Sequence, residues 1–135
     1  MLARVLVHPG READFEAVAA ALWRRTHADE TGVARYEYWR GAEPGTYYTL
    51  GSFDGYDGFI RHQTSAHHVD AGVSLRALIA DLHIEWVDAV DGANGLPPTD
   101  SSPTPPDAGD LERSYRARHA VTVAQWWHRL RRPGR

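Results

Sequence analysis

His62, His67 and His68 fall within seven positions, in the run Phe59-Ile60-Arg61-His62-Gln63-Thr64-Ser65-Ala66-His67-His68. Histidine titrates closest to physiological pH, so such clustering points to proton transfer, metal ligation or a polar ligand pocket. On one continuous helix, residues five or six apart do not share a face, whereas paired metal ligands sit three or four apart. The spacing therefore argues against a metal site, and none is expected. Ser65 is expected to break the helix and so to separate His62 from the other two. If His62 faces a sheet, it can act as the base that takes a phenolic proton from a bound aromatic. The alternative is that His62 caps a helix end while His67 and His68 lie partly in solvent.

Aromatic residues supply the second element of a candidate site. Tyr36, Tyr38, Trp39, Tyr47, Tyr48, Phe53 and Trp86 lie in strand-like segments, where side chains alternate between faces. If Phe53 faces the helices, Tyr47, Thr49 and Gly51 share its side, and Tyr48 and Leu50 point the other way. One reading is a flat slot for a planar ligand, with hydroxyls fixing its orientation. The other is that strands favour aromatics and that interfaces between copies use them.

Composition removes several classes of chemistry. Cysteine is absent, which rules out disulfides, thiolate nucleophiles and metal–thiolate sites. Every cationic side chain is Arg, so a Schiff-base or phosphate-loop lysine is excluded too. A formal charge of −3 provides no basic field for nucleic acid. Gly51-Ser52-Phe53 lacks the G-x-S-x-G frame of a serine nucleophile, and no glycine pattern cradles a dinucleotide. No spaced acid pair suggests glycoside hydrolysis. No apolar run approaches the roughly 18 residues needed to span a bilayer, and the N-terminus lacks a signal-peptide cleavage region. The expectation is a cytoplasmic protein that binds neither nucleic acid nor membrane.

The elements that must position these residues can be placed from periodicity. Ala3 to His8 reads as a strand ended by Pro9-Gly10. Phe15, Val18, Ala19, Leu22 and Trp23 recur at helical spacing behind the early acids Glu12, Asp14 and Glu16, and this helix ends near Asp29. Val33 to Arg40 and Thr46 to Phe53 alternate about a short Gly/Pro turn, which predicts an antiparallel hairpin. Asp54 is placed to cap a helix running to about Gln63, a second helical stretch covers Ser65 to Ile79, and Leu82 to Val87 forms the fourth strand. The order β-α-β-β-α-β is the split βαβ of a ferredoxin-like α+β fold. Two helices cover one face of such a sheet. Large side chains on the other face predict a homodimer packed sheet against sheet. Residues 1–90 thus form one domain. Residues 91–109, rich in Pro, form an extended linker, and residues 110–135 form an amphipathic helix carrying Trp126 and Trp127. Adjacent tryptophans call for docking on the domain, on its dimer partner, or on another protein. Arg131 and Arg132 suit the negative end of that helix.

With those residues in place, the chain from about Ala3 to Asp88 resembles the antibiotic biosynthesis monooxygenases, small dimeric α+β barrels. The marks are His8-Pro9-Gly10-Arg11-Glu12 followed by Phe15, Thr31-Gly32 leading into Tyr36-Glu37-Tyr38, the Glu43-Pro44-Gly45 hairpin, and Phe59, His62, Ser65, His67 and His68. The resemblance implies a pocket between the helices and the inner sheet face. It also implies a monooxygenase that uses O₂ on an electron-rich quinol, phenol or anthrone without cofactor. His62 would be the catalytic base, and Tyr47, Thr49, Phe53, Phe59 and His67 would bind the substrate. Where such oxygenases carry Trp, Glu and Asn on the third strand, this chain has Phe53, Gly51 and Thr49, and Gly51 widens the slot. The haem-degrading branch is disfavoured: Val5 and Leu6 offer no first-strand amide, and Ala71-Gly72 stand where its histidine belongs. The alternatives are a non-catalytic binder of small aromatics with the same fold, and an interaction module built on the Trp126-Trp127 helix.

Overall fold

The computed structural model describes residues 1–131. Its elements are β1 (Leu2–Val7), α1 (Glu12–Asp29), β2 (Val33–Arg40), β3 (Thr46–Phe53), α2 (Tyr56–Thr64), α3 (Ala66–Leu78), β4 (Ile79–Glu85), α4 (Asp110–Arg118) and α5 (Gln125–Leu130). The strands form one antiparallel sheet in the order β2-β3-β1-β4, the ferredoxin-like arrangement, with α1, α2 and α3 on one face. Among the described residues, no helix is long and apolar enough to cross a membrane.

Strand alternation decides what each face carries. Ala3↔Thr49, Val5↔Tyr47 and Tyr36↔Gly51 are register pairs on the helix side, so Ala3, Val5, Tyr36, Tyr47, Thr49 and Phe53 are buried there. Two apolar clusters result. Val5, Val7, Phe15, Ala19, Tyr47 and Leu78 fill the space between β1 and α1, and Leu22, Tyr36, Phe53, Tyr56, Phe59 and Ile60 fill the space under α2. The opposite face carries Leu2, Leu50, Tyr48 and Trp39, with Trp39 58% exposed in the single chain.

Three boundaries differ from the sequence expectation. β4 begins at Ile79 rather than Leu82 because α3 ends one residue earlier. Ile79 takes an extended conformation as its C-cap and pairs with Val7 across a bulge. Asp54 does not cap α2. Gly55 holds that position, with a φ of 135° that favours glycine, and Asp54 pairs with Arg61 at 2.9 Å. The C-terminal helix is two helices, because the β-branched Val121-Thr122-Val123 separates α4 from α5. Trp126 is 56% exposed on α5 in the single chain. Arg131 forms a bidentate pair with Asp88 at 2.8–2.9 Å, and Arg132 lies outside the described residues.

The segment between β4 and α4 has little regular structure but is pinned to the domain. Asp100 accepts from the Tyr56 N–H, Thr99 from its own N–H donates to Asp88, and Ser102 donates to Asp57 at 2.6 Å. α4 is fixed mainly through Arg116, whose side chain is buried and pairs with Asp57 at 2.6 Å and Glu112 at 2.8 Å. Its guanidinium also lies 5.2 Å over the Tyr56 ring. Arg116→Ala is expected to cost about 2 kcal/mol, since the change empties a packed site and leaves its hydrogen-bond acceptors unpaired. Calorimetry should show a Tm lower by several degrees. Asp57→Asn should cost less, because Glu112 still neutralises Arg116 and the Asp57 side chain is half exposed.

Candidate active site

A cavity of about 500 Å³ lies between the inner sheet face and the helices. β1 contributes Ala3 and Val5, β2 Tyr36 and Tyr38, and β3 Thr49, Gly51 and Phe53. α2 adds Phe59, His62 and Gln63, and α3 adds His68, Gly72 and Leu75. The size and the largely apolar wall, with Phe15, Tyr36, Tyr38, Phe53 and Phe59 among its aromatics, suit a small planar ligand. Gly51 keeps the space open: a Cβ there would lie 3.2 Å from the Phe53 ring.

His62 is 1% exposed and is held by Glu30, the C-cap residue of α1. Its Nδ1 lies 3.0 and 3.1 Å from the two Glu30 carboxylate oxygens, while its Nε2 is buried without a hydrogen-bond partner in the protein. The ring packs against Tyr36 at 4.6 Å, Phe53 at 5.1 Å and His68 at 4.6 Å between centroids. Burial pushes the Glu30 carboxyl up, but the hydrogen bonds and charges of His62 and His67 outweigh that and leave it below its ordinary value. Glu30 is therefore an ionised, acceptor-only group at neutral pH, so Nδ1 carries the hydrogen. In a neutral ring, Nε2 then bears the lone pair. That is the tautomer a general base needs.

His67 comes to Glu30 from the other side, its Nε2 2.6 Å from Oε1. The ligand atoms of Glu30, His62 and His67 lie within 4.8 Å of one another, and a His/His/carboxylate set of this kind suits a divalent transition ion. Spacing on a continuous helix could not anticipate this. The chain breaks at Ser65, whose Oγ accepts from the His68 N–H at 3.4 Å, and the third ligand comes from a different element. In the structure, one nitrogen of each imidazole is already hydrogen-bonded to Glu30.

The sequence-derived site residues divide into two groups. His62, Thr49, Phe53 and Phe59 meet at the cavity. Tyr47 and His67 do not. Phe15 packs against Tyr47 with tilted rings at 4.7 Å and the Tyr47 hydroxyl donates to Glu16 at 2.9 Å, which turns it toward a separate groove with Trp23 and Trp39. His67 stands behind His62 on Glu30, and His68 takes the cavity position instead. The sequence does not single out Glu30, and it leaves His68 and the hydroxyl pair Tyr36 and Tyr38, 2.7 Å apart, without an assigned role. Burial raises the pKa of both tyrosines, so both stay protonated. When one donates to the other, the second O–H remains available to an anion in the cavity.

Burial, aided by the neighbouring His62, lowers His68 from 6.5 to about 3. Its folded value is below its unfolded one, so its contribution to stability is complete above pH 6.5 and is lost progressively toward pH 3. Nitrogen-edited NMR should show a neutral His68 ring from pH 8 down to 5. His68→Phe should flatten the loss of stability in this acid range.

Comparison with known proteins fits this geometry. No curated protein sequence is significantly similar to the chain. A candidate antibiotic biosynthesis monooxygenase from Caulobacter crescentus CB15 superposes with a TM-score of 0.63 at 29% identity, covering 67% of this chain and 87% of that one. Another candidate of the same description, from Bacteroides thetaiotaomicron VPI-5482, gives a TM-score of 0.62 at 16% identity, over 70% and 91% of the two chains. A Pseudomonas aeruginosa protein gives 0.58 at 21% identity, over 62% and 85%. The last two likenesses speak for the fold alone. The sequence profile described as antibiotic biosynthesis monooxygenase matches residues 1–72, which takes in β1 through α2, Glu30 and all three clustered histidines. From that match, together with the sheet order and the cavity between sheet and helices, the chain belongs to the antibiotic biosynthesis monooxygenase family.

Proposed function

We propose that this protein is a cofactor-independent monooxygenase that uses O₂ to oxidise an electron-rich phenol, quinol or anthrone. The observation that carries this reading is the Glu30–His62 pair, which leaves the second imidazole nitrogen without a protein partner on a residue that lines the cavity. The substrate ring lies against Phe53 and Phe59, with its hydroxyl toward His62. Nε2 takes the proton, and the Glu30 carboxylate stabilises the imidazolium that results. The free O–H of the Tyr36–Tyr38 pair and the Thr49 hydroxyl donate to the developing anion. The anion passes one electron to O₂. The resulting radicals combine at a ring carbon, forming a C–O bond and a peroxide anion that recovers the proton from His62. Loss of water leaves a carbonyl. One oxygen atom enters the product and the other leaves as water, so R₂CH₂ and O₂ give R₂C=O and H₂O. The substrate supplies all the electrons.

The reading includes a homodimer joined through the face carrying Trp39, Tyr48 and Leu50, and a cytoplasmic location. Its test is oxygen consumption by chelator-treated protein over a panel of hydroquinones, naphthoquinols and anthrones. Saturable uptake with at least one substrate class supports it. Saturable binding of those aromatics with no uptake would instead make the protein a non-catalytic binder.

A further inference from the structure

The family match ends at residue 72, yet part of the cavity wall comes from beyond it. Tyr115, Arg118 and His119, at the end of α4, line the cavity together with Arg76 on α3 and Asp81 on β4. The position of Arg118 is built rather than incidental. The carbonyls of Arg116 and His119, on either side of it, both accept from the Tyr56 hydroxyl, at 3.4 and 3.0 Å. The Arg118 guanidinium lies 5.2 Å over the Tyr115 ring. His119 packs edge-on against Phe59 at 5.6 Å, which ties this end of α4 to the aromatic wall. Among the described residues, neither Arg118 nor Arg76 is in an ion pair or a side-chain hydrogen bond, whereas Arg116, Arg61, Arg40 and Arg131 all have carboxylate partners.

The cavity is thus polarised. Its inner end is backed by the ionised Glu30 behind His62, which disfavours a second anion there. The exposed rim presents two guanidinium groups against the single carboxylate of Asp81. An aromatic molecule with a carboxylate would find its electrostatic complement in one orientation: hydroxyl inward at His62, acid outward at the arginines.

We propose that the C-terminal extension makes this cavity selective for aromatic acids, with Arg118 as the carboxylate's counter-ion and Arg76 assisting. This rests on the aromatic-cavity reading above and names its substrate class. The test uses two redox-inert ligands of the same shape, 2-naphthoate and 2-naphthamide, titrated against the full chain by calorimetry. A charge-assisted hydrogen bond to Arg118 should make naphthoate bind about tenfold more tightly than the amide. Arg118→Gln should remove that preference and leave amide affinity unchanged, and Arg76→Gln should reduce it by a smaller factor. Equal affinities in the wild type, or a preference that survives Arg118→Gln, would overturn the proposal alone. If neither ligand binds, it falls together with the cavity reading. Because both ligands are inert, the outcome is independent of whether the protein consumes oxygen.

Discussion

His62→Ala is expected to lower kcat/KM for an oxidisable aromatic by about 10²–10⁴-fold, the range typical of losing a positioned general base. None of the neighbouring groups His68, Tyr36, Tyr38 and Thr49 can replace it. His68 is held neutral by burial, so its basicity is far too low for the task. Tyr36 and Tyr38 are held protonated, and Thr49 is not a base. The alanine variant also opens a hole among Tyr36, Phe53 and His68, so a loss of activity alone would not separate chemistry from folding. His62→Gln makes the distinction. Its amide can still donate to Glu30 and nearly fills the space, but it has no basic nitrogen. A folded His62→Gln protein that binds the aromatic as well as wild type and is as inactive as His62→Ala assigns the loss to proton transfer.

Glu30→Gln should produce the second largest effect, about 10²-fold in kcat with little change in KM, because Glu30 does not line the cavity and acts only through His62. Glutamine cannot accept from both imidazoles at once, and its NH₂ would face a nitrogen that now has to accept. His62 would then turn its hydrogen toward Nε2 and lose the lone pair it needs. Stability should respond in a characteristic way. Glu30 in the folded protein lies below its ordinary value of 4.5, so its contribution is complete above that pH and is lost as pH falls through the folded value. Denaturant titration at a series of pH values should show wild type more stable than Glu30→Gln at neutral pH, with the gap closing below about 4.5. Glu30→Asp, which keeps the charge but shortens the reach, should recover part of the activity. A merely structural acid would show no such split between kcat and KM.

How far the sequence reveals this arrangement depends on the range of each interaction. The β2–β3 hairpin is legible to the residue, because alternation and a Gly/Pro turn are local signals. The start of β4 is not, since Leu78-Ile79-Ala80 is an apolar run that suits a helix end or a strand equally, and pairing with Val7 decides it. His62 is legible as a candidate from its type and surroundings. Glu30 is not, since its partner lies 32 positions away. One signal was present: an acid at the C-terminal end of α1, where the helix dipole disfavours negative charge, calls for a cationic or hydrogen-bonding partner. Period-two reasoning put Tyr47 on the correct face of the sheet. It could not show that Phe15 and Glu16 claim that part of the face. The exchange of His67 for His68 follows from the helix restart at Ser65, which resets which residue in the first turn looks back toward α2. The cavity's debt to α4 was beyond reach, because it depends on Arg116 and Tyr56 closing a contact across 60 residues of chain.

The central claim is that this chain's own side chains, with no cofactor, let an aromatic anion react with O₂. The most direct measurement is mass spectrometry of the product formed under ¹⁸O₂ by chelator-treated protein, given the quinol or anthrone that supports oxygen uptake. The expected result is one ¹⁸O atom per product molecule, formed at the wild-type rate without added metal or flavin and absent with His62→Gln. A product without label, or labelling that requires an added metal ion or flavin, would contradict the account.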